Sequence, residues 1–241
     1  MKEDSEQIAS LISSLNHPDK KVIRQAADSL ISMALHRPEV IQRLNDLLSE
    51  APEGSRWPIA YVLAQIGSPS SACLHVLKEA LDTRDPDIRW AVGLLLVRLG
   101  KSHVDVVALM LDLLKTGTAT QRRMALYCLR DVGPEDKSFQ QALLESLRDA
   151  DPLVRVAAVT SLKFLPKIGK DGLDFLLHLF LSDPDSRVRR TAALSLAQLG
   201  APSEEIRAAL KDASRSDDPQ LKKAATAALD LVEKKGPTLP E

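Results

Sequence analysis

The sequence predicts an all-α protein, a right-handed α-solenoid in which seven helix pairs repeat with a period of 33 residues. Three observations carry this prediction: a Leu column at fixed spacing, an apolar pattern of helical period, and helix-start residues between the two helices of each pair. Aromatic residues make up only 3% of the 241 residues, so the core is expected to consist of Leu, Ala, Val and Ile.

The Leu column appears when one anchor residue is chosen in each repeat. Successive anchors are 33 or 34 residues apart: Ile23, Arg56, Arg89, Arg122, Arg155, Arg189 and Lys222. Seven residues after each anchor stands a leucine: Leu30, Leu63, Leu96, Leu129, Leu162, Leu196 and Leu229. The positions ten residues after and twelve residues before each anchor are apolar as well. Agreement at three columns indicates an internal repeat rather than chance.

Each repeat has the pattern of two amphipathic helices. In the sixth repeat, for example, Leu176, Leu177, Phe180 and Leu181 follow a helical period. An Asp four residues before the anchor predicts the N-cap of the second helix in five repeats, and Pro follows it in three. The five Asp residues are Asp19, Asp85, Asp151, Asp185 and Asp218. Glycines eleven residues past the anchor, Gly67, Gly100, Gly133 and Gly200, predict left-handed C-caps.

These repeats predict one solenoid domain over residues 1–236 and a flexible tail over 237–241. The expected repeat units are about 5–36, 38–68, 70–101, 103–133, 135–167, 170–200 and 202–235.

Ankyrin and tetratricopeptide repeats have a similar period, but their motifs are absent. The segment Asp151-Pro-Leu-Val-Arg-Val-Ala-Ala158 and the segment from Val188 to Ala193 resemble the HEAT repeat family, in its short bacterial HEAT-like form, as in PBS-lyase HEAT-like repeat proteins. The resemblance implies an Asp–Arg ladder between neighbouring repeats. Arg56 and Arg122 lack the Asp four residues before them. The family includes scaffolds, adaptors and a few enzymes, so the resemblance predicts a fold more than a function.

Charge and motifs exclude several kinds of chemistry. The net charge of −1 argues against an overall electrostatic grip on nucleic acid or an anionic membrane, and no apolar run is long enough to span a bilayer. The two cysteines, Cys73 and Cys128, and the five histidines share no metal-ligand spacing, so neither a metal nor a cofactor is expected. The HEAT-family iron hydroxylase of deoxyhypusine uses His-Glu pairs, and this chain contains none. HEAT-like glycosylases depend on a strongly basic cleft, which the near-zero net charge does not favour. The fold is compatible with a HEAT-like bilin lyase, although no residues single out a pigment site.

The two Trp and two Tyr residues all lie in second helices, on the face that turns away from the Leu column. Trp57 and Trp90 come one residue after their anchors, and Tyr61 and Tyr127 come five residues after theirs. A helical wheel places these positions outside the core, so we expect one aromatic patch that also includes Leu94. In HEAT-like stacks this face is concave. The alternative is that Trp57 and Trp90 pack between neighbouring helices.

Basic residues dominate the columns of this face, which stand one, five, eight, nine and twelve residues after the anchors. These columns contain three acidic residues, Asp28, Asp131 and Asp230. They contain ten basic residues: Arg24, Arg98, Lys101, Arg123, Arg130, Lys163, Lys167, Arg190, Lys223 and Lys234. We therefore expect a basic groove and an acidic outer surface, although such a row is also typical of an ordinary solvated face.

The expected function is a non-enzymatic scaffold or adaptor that binds an acidic or amphipathic segment of another protein. The expected partner-binding residues are Trp57, Tyr61, Trp90, Leu94, Arg98, Arg123, Tyr127, Arg130 and Lys163. A nucleic-acid-binding module is the alternative, with the aromatics stacking on bases. A lyase or glycosylase-type enzyme is the third hypothesis, with Asp131 as its one candidate catalytic carboxylate. We expect a cytoplasmic monomer that does not bind membranes.

Overall fold

The computed structural model describes residues 2–67, 69–133, 137–165, 168–199 and 204–235, which form fourteen α-helices and no strand. The predicted all-α class and the succession of helix pairs are confirmed over these residues. The expected tail at 237–241 and the expected cap at Gly200 lie outside them. The helices are α1 (Lys2–Ser14), α2 (Lys20–Ala34), α3 (Pro38–Glu50), α4 (Glu53–Ile66), α5 (Ser71–Ala80), α6 (Pro86–Gly100), α7 (Val104–Thr116), α8 (Ala119–Val132), α9 (Lys137–Ser146), α10 (Pro152–Leu162), α11 (Lys170–Ser182), α12 (Ser186–Gln198), α13 (Glu204–Ala213) and α14 (Pro219–Lys235).

The chain separates into two compact bodies, Met1–Val106 and Val107–Glu241. In the N-terminal body, α2 packs on α4 and α4 packs on α6. In the C-terminal body, α8, α10, α12 and α14 pack in the same serial manner. The even-numbered helices therefore form a row within each body, and every predicted site residue lies on one of them or at its end. The single domain over 1–236 and the repeat boundaries stay predictions.

The Leu column forms the core of both bodies. Its first six members are fully buried and Leu229 is half-buried: Leu30, Leu63, Leu96, Leu129, Leu162, Leu196 and Leu229. Residues on the first helices complete this core, for example Leu44, Leu77 and Met110. The column recurs because each even-numbered helix presents the same face to its neighbours, and burial of that apolar face stabilises the stack.

Polar caps start the even-numbered helices where the sequence predicts them. The side chains of Asp19, Asp85, Asp151, Asp185 and Asp218 accept hydrogen bonds from backbone N–H groups in the first turns of α2, α6, α10, α12 and α14. Pro86, Pro152 and Pro219 are the first helical residues of α6, α10 and α14. Thr118 replaces Asp before α8 and forms a capping box with Gln121. Pro52 precedes α4 and provides no side-chain cap.

The predicted left-handed glycine caps are wrong at three described positions. Gly67 and Gly133 adopt extended backbone, with φ values of −168° and 171°. Gly100 is the last residue of α6, and the next residue, Lys101, has right-handed helical geometry. These helices therefore end without a left-handed turn, so the glycines do not act as Schellman-type caps.

The arginines of the anchor column hold the loop that joins the two helices of their own repeat. Five of them donate hydrogen bonds to backbone carbonyls five or six residues earlier. Arg56 Nε, for example, lies 2.6 Å from the Ala51 oxygen, and Arg122 Nη1 lies 2.8 Å from the Gly117 oxygen. Charged donors satisfy the orphan carbonyls of these tight connections, which explains the recurrence of Arg. The five residues are Arg56, Arg89, Arg122, Arg155 and Arg189.

In the C-terminal body the anchor arginines also form a ladder to the following repeat. Arg122 pairs with Asp149 through two hydrogen bonds of 2.6 and 2.8 Å, and Arg155 pairs with Asp183 through two of 2.8 Å. Arg189 completes the ladder through one hydrogen bond of 2.6 Å to Asp218.

The partners of the first two rungs differ from the expected ones. Asp149 and Asp183 stand six residues before the next anchor rather than four. Arg122 takes part although it has no Asp four residues before it. The amides of the capping residues Asp151 and Asp185 donate to Asp149 and Asp183. One acidic residue of each loop thus caps the following helix. The other accepts hydrogen bonds from the amide of the capping residue and from the anchor arginine of the preceding repeat. Before α14, Ser216 stands at the position equivalent to Asp149 and Asp183, and its hydroxyl accepts a hydrogen bond from the Asp218 amide.

Candidate interaction surfaces

The N-terminal body carries an apolar surface on α4 and α6. Trp90 and Leu94, one turn apart on α6, are 54% and 53% exposed. Trp57 and Tyr61 occupy the equivalent positions on the neighbouring α4 and are half-buried. We call these four residues the α4/α6 patch. Large apolar side chains that stay exposed on adjacent helices are typical of an interaction surface.

Two cations follow the α4/α6 patch at the end of α6. Arg98 in the last turn and the C-cap residue Lys101 are both exposed and have no ion pair with a described residue. The N-terminal end of α6 carries two acidic residues, Asp85 and Asp87, and Lys20 of α2 balances one of the two charges. Lys20 Nζ lies 2.7 Å from both Asp85 and Asp87. Hydrogen bonding to Asp85 raises the pKa of Lys20, and the same contact lowers the pKa of Asp85. The uncompensated charge is therefore positive at the C-terminal end of α6, next to Leu94.

The C-terminal body places Arg130 between two aromatic rings. The guanidinium carbon of Arg130 lies 5.3 Å from the centre of the Tyr127 ring and 4.9 Å from that of Phe164. Arg130 also forms two hydrogen bonds, of 2.7 and 3.0 Å, to the Asp131 carboxylate. We call Tyr127, Arg130, Asp131 and Phe164 the Arg130 cluster. Cation–π contacts and the ion pair hold this guanidinium in place.

The three basic residues predicted to bind a partner in this body have different environments. Arg130 is largely buried within its cluster, Arg123 is half-buried, and Lys163 is exposed with its ammonium 5.1 Å from the Phe164 ring centre. Phe164 was not among the predicted site residues. It stands nine residues after Arg155, in one of the columns that point away from the core, so the sequence did contain the signal. The assignment of all nine residues to one partner site stays a prediction.

Groups capable of catalysis or metal binding are sparse in the described part of the chain. Asp131, the candidate catalytic carboxylate, is held by Arg130. Burial raises the pKa of the Cys73 and Cys128 thiols to about 12, so both are protonated at neutral pH and poor nucleophiles. No three His, Cys, Asp or Glu residues within the described ranges come together as a metal site. None of the described helices has the length and hydropathy needed to cross a bilayer.

The fold and these surfaces define an α-helical repeat protein of the solenoid class. In each body, polar and aromatic residues lie on the even-numbered helices. Residues 140–230 match the family model of HEAT repeats, which confirms the predicted resemblance to the HEAT repeat family over this segment. No curated protein matches the chain.

One solved structure supports the same fold, and two others are more distant. The Escherichia coli protein YibA has 14% sequence identity and a TM-score of 0.55, with 94% of this chain and 92% of that one covered. Human deoxyhypusine hydroxylase has 18% identity and a TM-score of 0.43, with coverage of 94% and 84%. A designed armadillo repeat protein in complex with a (KR)4 peptide has 16% identity and a TM-score of 0.42, with coverage of 93% and 99%. At such identities the likeness to YibA concerns the fold alone.

Proposed function

We propose that the protein is a non-enzymatic interaction scaffold, and that the α4/α6 patch anchors a segment of a partner protein. The observation that carries the proposal is the exposure of Trp90 and Leu94 on one face of α6. Covering the exposed half of a Trp removes about 100 Å² of apolar surface from water, which contributes about 2–3 kcal/mol to binding. Trp residues at the centre of such a surface are frequent hot spots of protein association.

The surroundings of the patch define the chemistry of the partner segment. Trp57 and Tyr61 extend the apolar surface onto α4, so the partner needs at least two apolar side chains that reach both helices. Arg98 and Lys101 lie at the C-terminal end of α6, where an acidic residue of the partner gains a charge partner. An amphipathic segment with an acidic end meets both requirements.

The experiment compares the wild-type protein, the double variant Trp90→Ala/Leu94→Ala and the control Val104→Ala in affinity capture from native lysate, with quantitative mass spectrometry. Val104 is an exposed apolar residue at the start of α7. We expect the double variant to lose specific partners that the control retains. Calorimetry with the purified partner should then give a Kd at least ~30-fold weaker for the double variant, the ratio that about 2 kcal/mol corresponds to. Equal capture by all three proteins would contradict the proposal.

The same double variant tests the exposure on which the proposal depends. Two exposed side chains contribute little to folding, so its free energy of unfolding should stay within about 1 kcal/mol of wild type. A loss of about 3–5 kcal/mol, as expected for a buried aromatic residue, would mean that Trp90 is packing material between helices.

A nucleic-acid-binding module is the second candidate, and Phe164 of the Arg130 cluster favours it because this exposed ring lies beside the exposed cation Lys163. Such a module should bind single-stranded oligonucleotides at low salt. Its affinity should fall with a log–log slope of about −0.7 per phosphate contact. Binding to a protein segment through apolar anchors responds far less to salt, so a salt titration separates the two candidates.

A further inference from the structure

The C-terminal body carries a second surface, a row of cations on its even-numbered helices. The residue directly after each anchor is Arg123 on α8, Val156 on α10, Arg190 on α12 and Lys223 on α14. Arg190 and Lys223 are exposed and Arg123 is half-buried. Whereas the anchors Arg122, Arg155 and Arg189 are all paired with carboxylates, these three cations form no ion pair with a described residue. We call Arg123, Arg190 and Lys223 the cationic row.

An uncharged column accompanies the cationic row, one helical turn further along each helix. Its members stand four residues after the row positions: Tyr127 on α8, Thr160 on α10, Leu194 on α12 and Ala227 on α14. Residues four apart share a helix face, so both sets of side chains border one surface. Ala227 is exposed and the other three are half-buried, and the Thr160 hydroxyl already donates to the Val156 carbonyl of its own helix. The column therefore offers a partner apolar contact beside the charges of the row.

We propose that the C-terminal body binds an extended acidic peptide that crosses α8, α10, α12 and α14, with its carboxylates on the cationic row. The proposal specifies a partner of the scaffold and rests on the function proposed above. Packed helices lie about 10 Å apart. A peptide in the polyproline II conformation rises about 3.1 Å per residue and has three residues per turn, so every third side chain faces the protein and advances by about one helix. Acidic residues at peptide positions 1, 7 and 10 then meet Arg123, Arg190 and Lys223, and an apolar residue at position 4 meets Val156.

The interruption at Val156 favours a peptide over a nucleic acid. A nucleic-acid strand carries a phosphate at every nucleotide, and Val156 offers a phosphate neither a charge nor a side-chain hydrogen-bond donor. A peptide places an apolar side chain there at no electrostatic cost. Asp230, exposed two turns after Lys223 on α14, also disfavours a continuous polyanion at this end of the row.

The test uses the full chain and two fluorescent twelve-residue peptides of identical composition. One has Glu at positions 1, 7 and 10 and Leu at position 4 in a Pro/Ser background, and the other has Glu at 1, 5 and 9 and Leu at 3. Fluorescence anisotropy at low salt should give at least tenfold tighter binding for the first peptide. The double variant Arg190→Glu/Lys223→Glu should weaken this binding at least tenfold. The control variant is Lys211→Glu, which reverses the charge of an exposed Lys on α13, outside the cationic row. This variant should bind the peptide as wild type does.

Three outcomes would overturn the proposal: equal binding of both peptides, an equal loss with Lys211→Glu, or complete displacement by a single-stranded oligonucleotide at matched charge concentration. If the charge-reversal variant fails to fold by circular dichroism, the neutral variant Arg190→Gln/Lys223→Gln replaces it. The variant Trp90→Ala/Leu94→Ala keeps the cationic row, so it should bind the peptide normally. Loss of partner capture through the α4/α6 patch therefore remains distinguishable from loss of peptide binding.

Discussion

Replacing Asp183 with Asn tests whether the Arg–Asp ladder stabilises the C-terminal body. Asp183 accepts two hydrogen bonds of 2.8 Å from Arg155 and one of 2.9 Å from the Asp185 amide, and its side chain is 3% exposed. Asn has the same shape and keeps one acceptor oxygen, but its NH₂ group cannot accept from the guanidinium. The substitution therefore leaves the buried charge of Arg155 without the carboxylate that pairs with it directly.

The expected cost follows from this burial. Breaking a buried ion pair on one side typically costs about 3–5 kcal/mol. Arg155 keeps its hydrogen bonds to the carbonyls of Asp149 and Ala150, so the lower end of that range, about 3 kcal/mol, is expected. Asp218→Asn is the matched control, because the Asp218 side chain is 39% exposed in its pair and Asn caps a helix as well as Asp does. A cost of about 0–1 kcal/mol is expected for the control, as for other surface pairs.

Urea unfolding combined with hydrogen-exchange mass spectrometry measures both variants. Exchange is needed because repeat arrays do not always unfold in one step, and it reports the opening of each helix separately. Asp183→Asn should accelerate exchange in α10 and α12, because Asp183 lies in the connection between α11 and α12, where it binds Arg155 of α10 and the amide of the α12 N-cap residue Asp185. If Asp183→Asn costs no more than Asp218→Asn, or if exchange changes evenly over the whole chain, the ladder is not the stabilising contact inferred from its geometry.

Three further predictions concern stability. Leu129→Ala removes a fully buried side chain of the Leu column and should lower the free energy of unfolding by about 2–5 kcal/mol, and an unchanged urea midpoint would contradict its place in the core. Ser216→Asp should stabilise the protein by up to about 1 kcal/mol, because Arg189 Nε is buried without a hydrogen-bond partner, whereas Asp149 and Asp183 accept from the Nε atoms of the other two rungs. Ser216→Ala removes the acceptor for the Asp218 amide and should destabilise the protein. Stability should also fall in acid, since the hydrogen bond from Arg187 lowers the pKa of Asp185 to about 2, below the value of about 3.9 in an unfolded chain. This contribution to stability is complete above about pH 4 and is lost as the pH falls toward about 2. Urea midpoints measured from about pH 7 to about 2.5 should therefore decline less steeply for Asp185→Asn than for wild type.

Periodicity predicted those parts of the fold that depend on contacts repeated in every helix pair. Leu129 is buried for the same reason as Leu96 and Leu162, so agreement between repeats was sufficient to place it in the core. The Asp caps were predictable for a related reason, because a cap bonds to its own helix within three residues. Such local interactions leave a pattern at a fixed spacing in the sequence.

Contacts between repeats were less accessible to the same reasoning. Arg122 has Asp149 and Asp151 within the following loop, and only the loop geometry decides which of them accepts from the guanidinium. Lys20 reaches Asp85 and Asp87 over more than sixty residues, a contact without a counterpart among the other described helices. In the Arg130 cluster, Phe164 was not predicted as a site residue, although its position nine residues after Arg155 belongs to a column that points away from the core.

Adjacent arginines on the even-numbered helices illustrate how one short motif serves both stability and binding. Consecutive helical residues point about 100° apart, so when Arg122 or Arg189 turns toward the loop and the next repeat, Arg123 or Arg190 turns toward another side of the helix. The first arginine of each pair finds a carboxylate and is largely withdrawn from solvent, and the second has no ion pair among the described residues. A repeat that keeps the first residue for its fold can vary the second without loss of the ladder, as the pair Arg155 and Val156 shows. Binding specificity can therefore change along the row independently of the contacts that hold the row together.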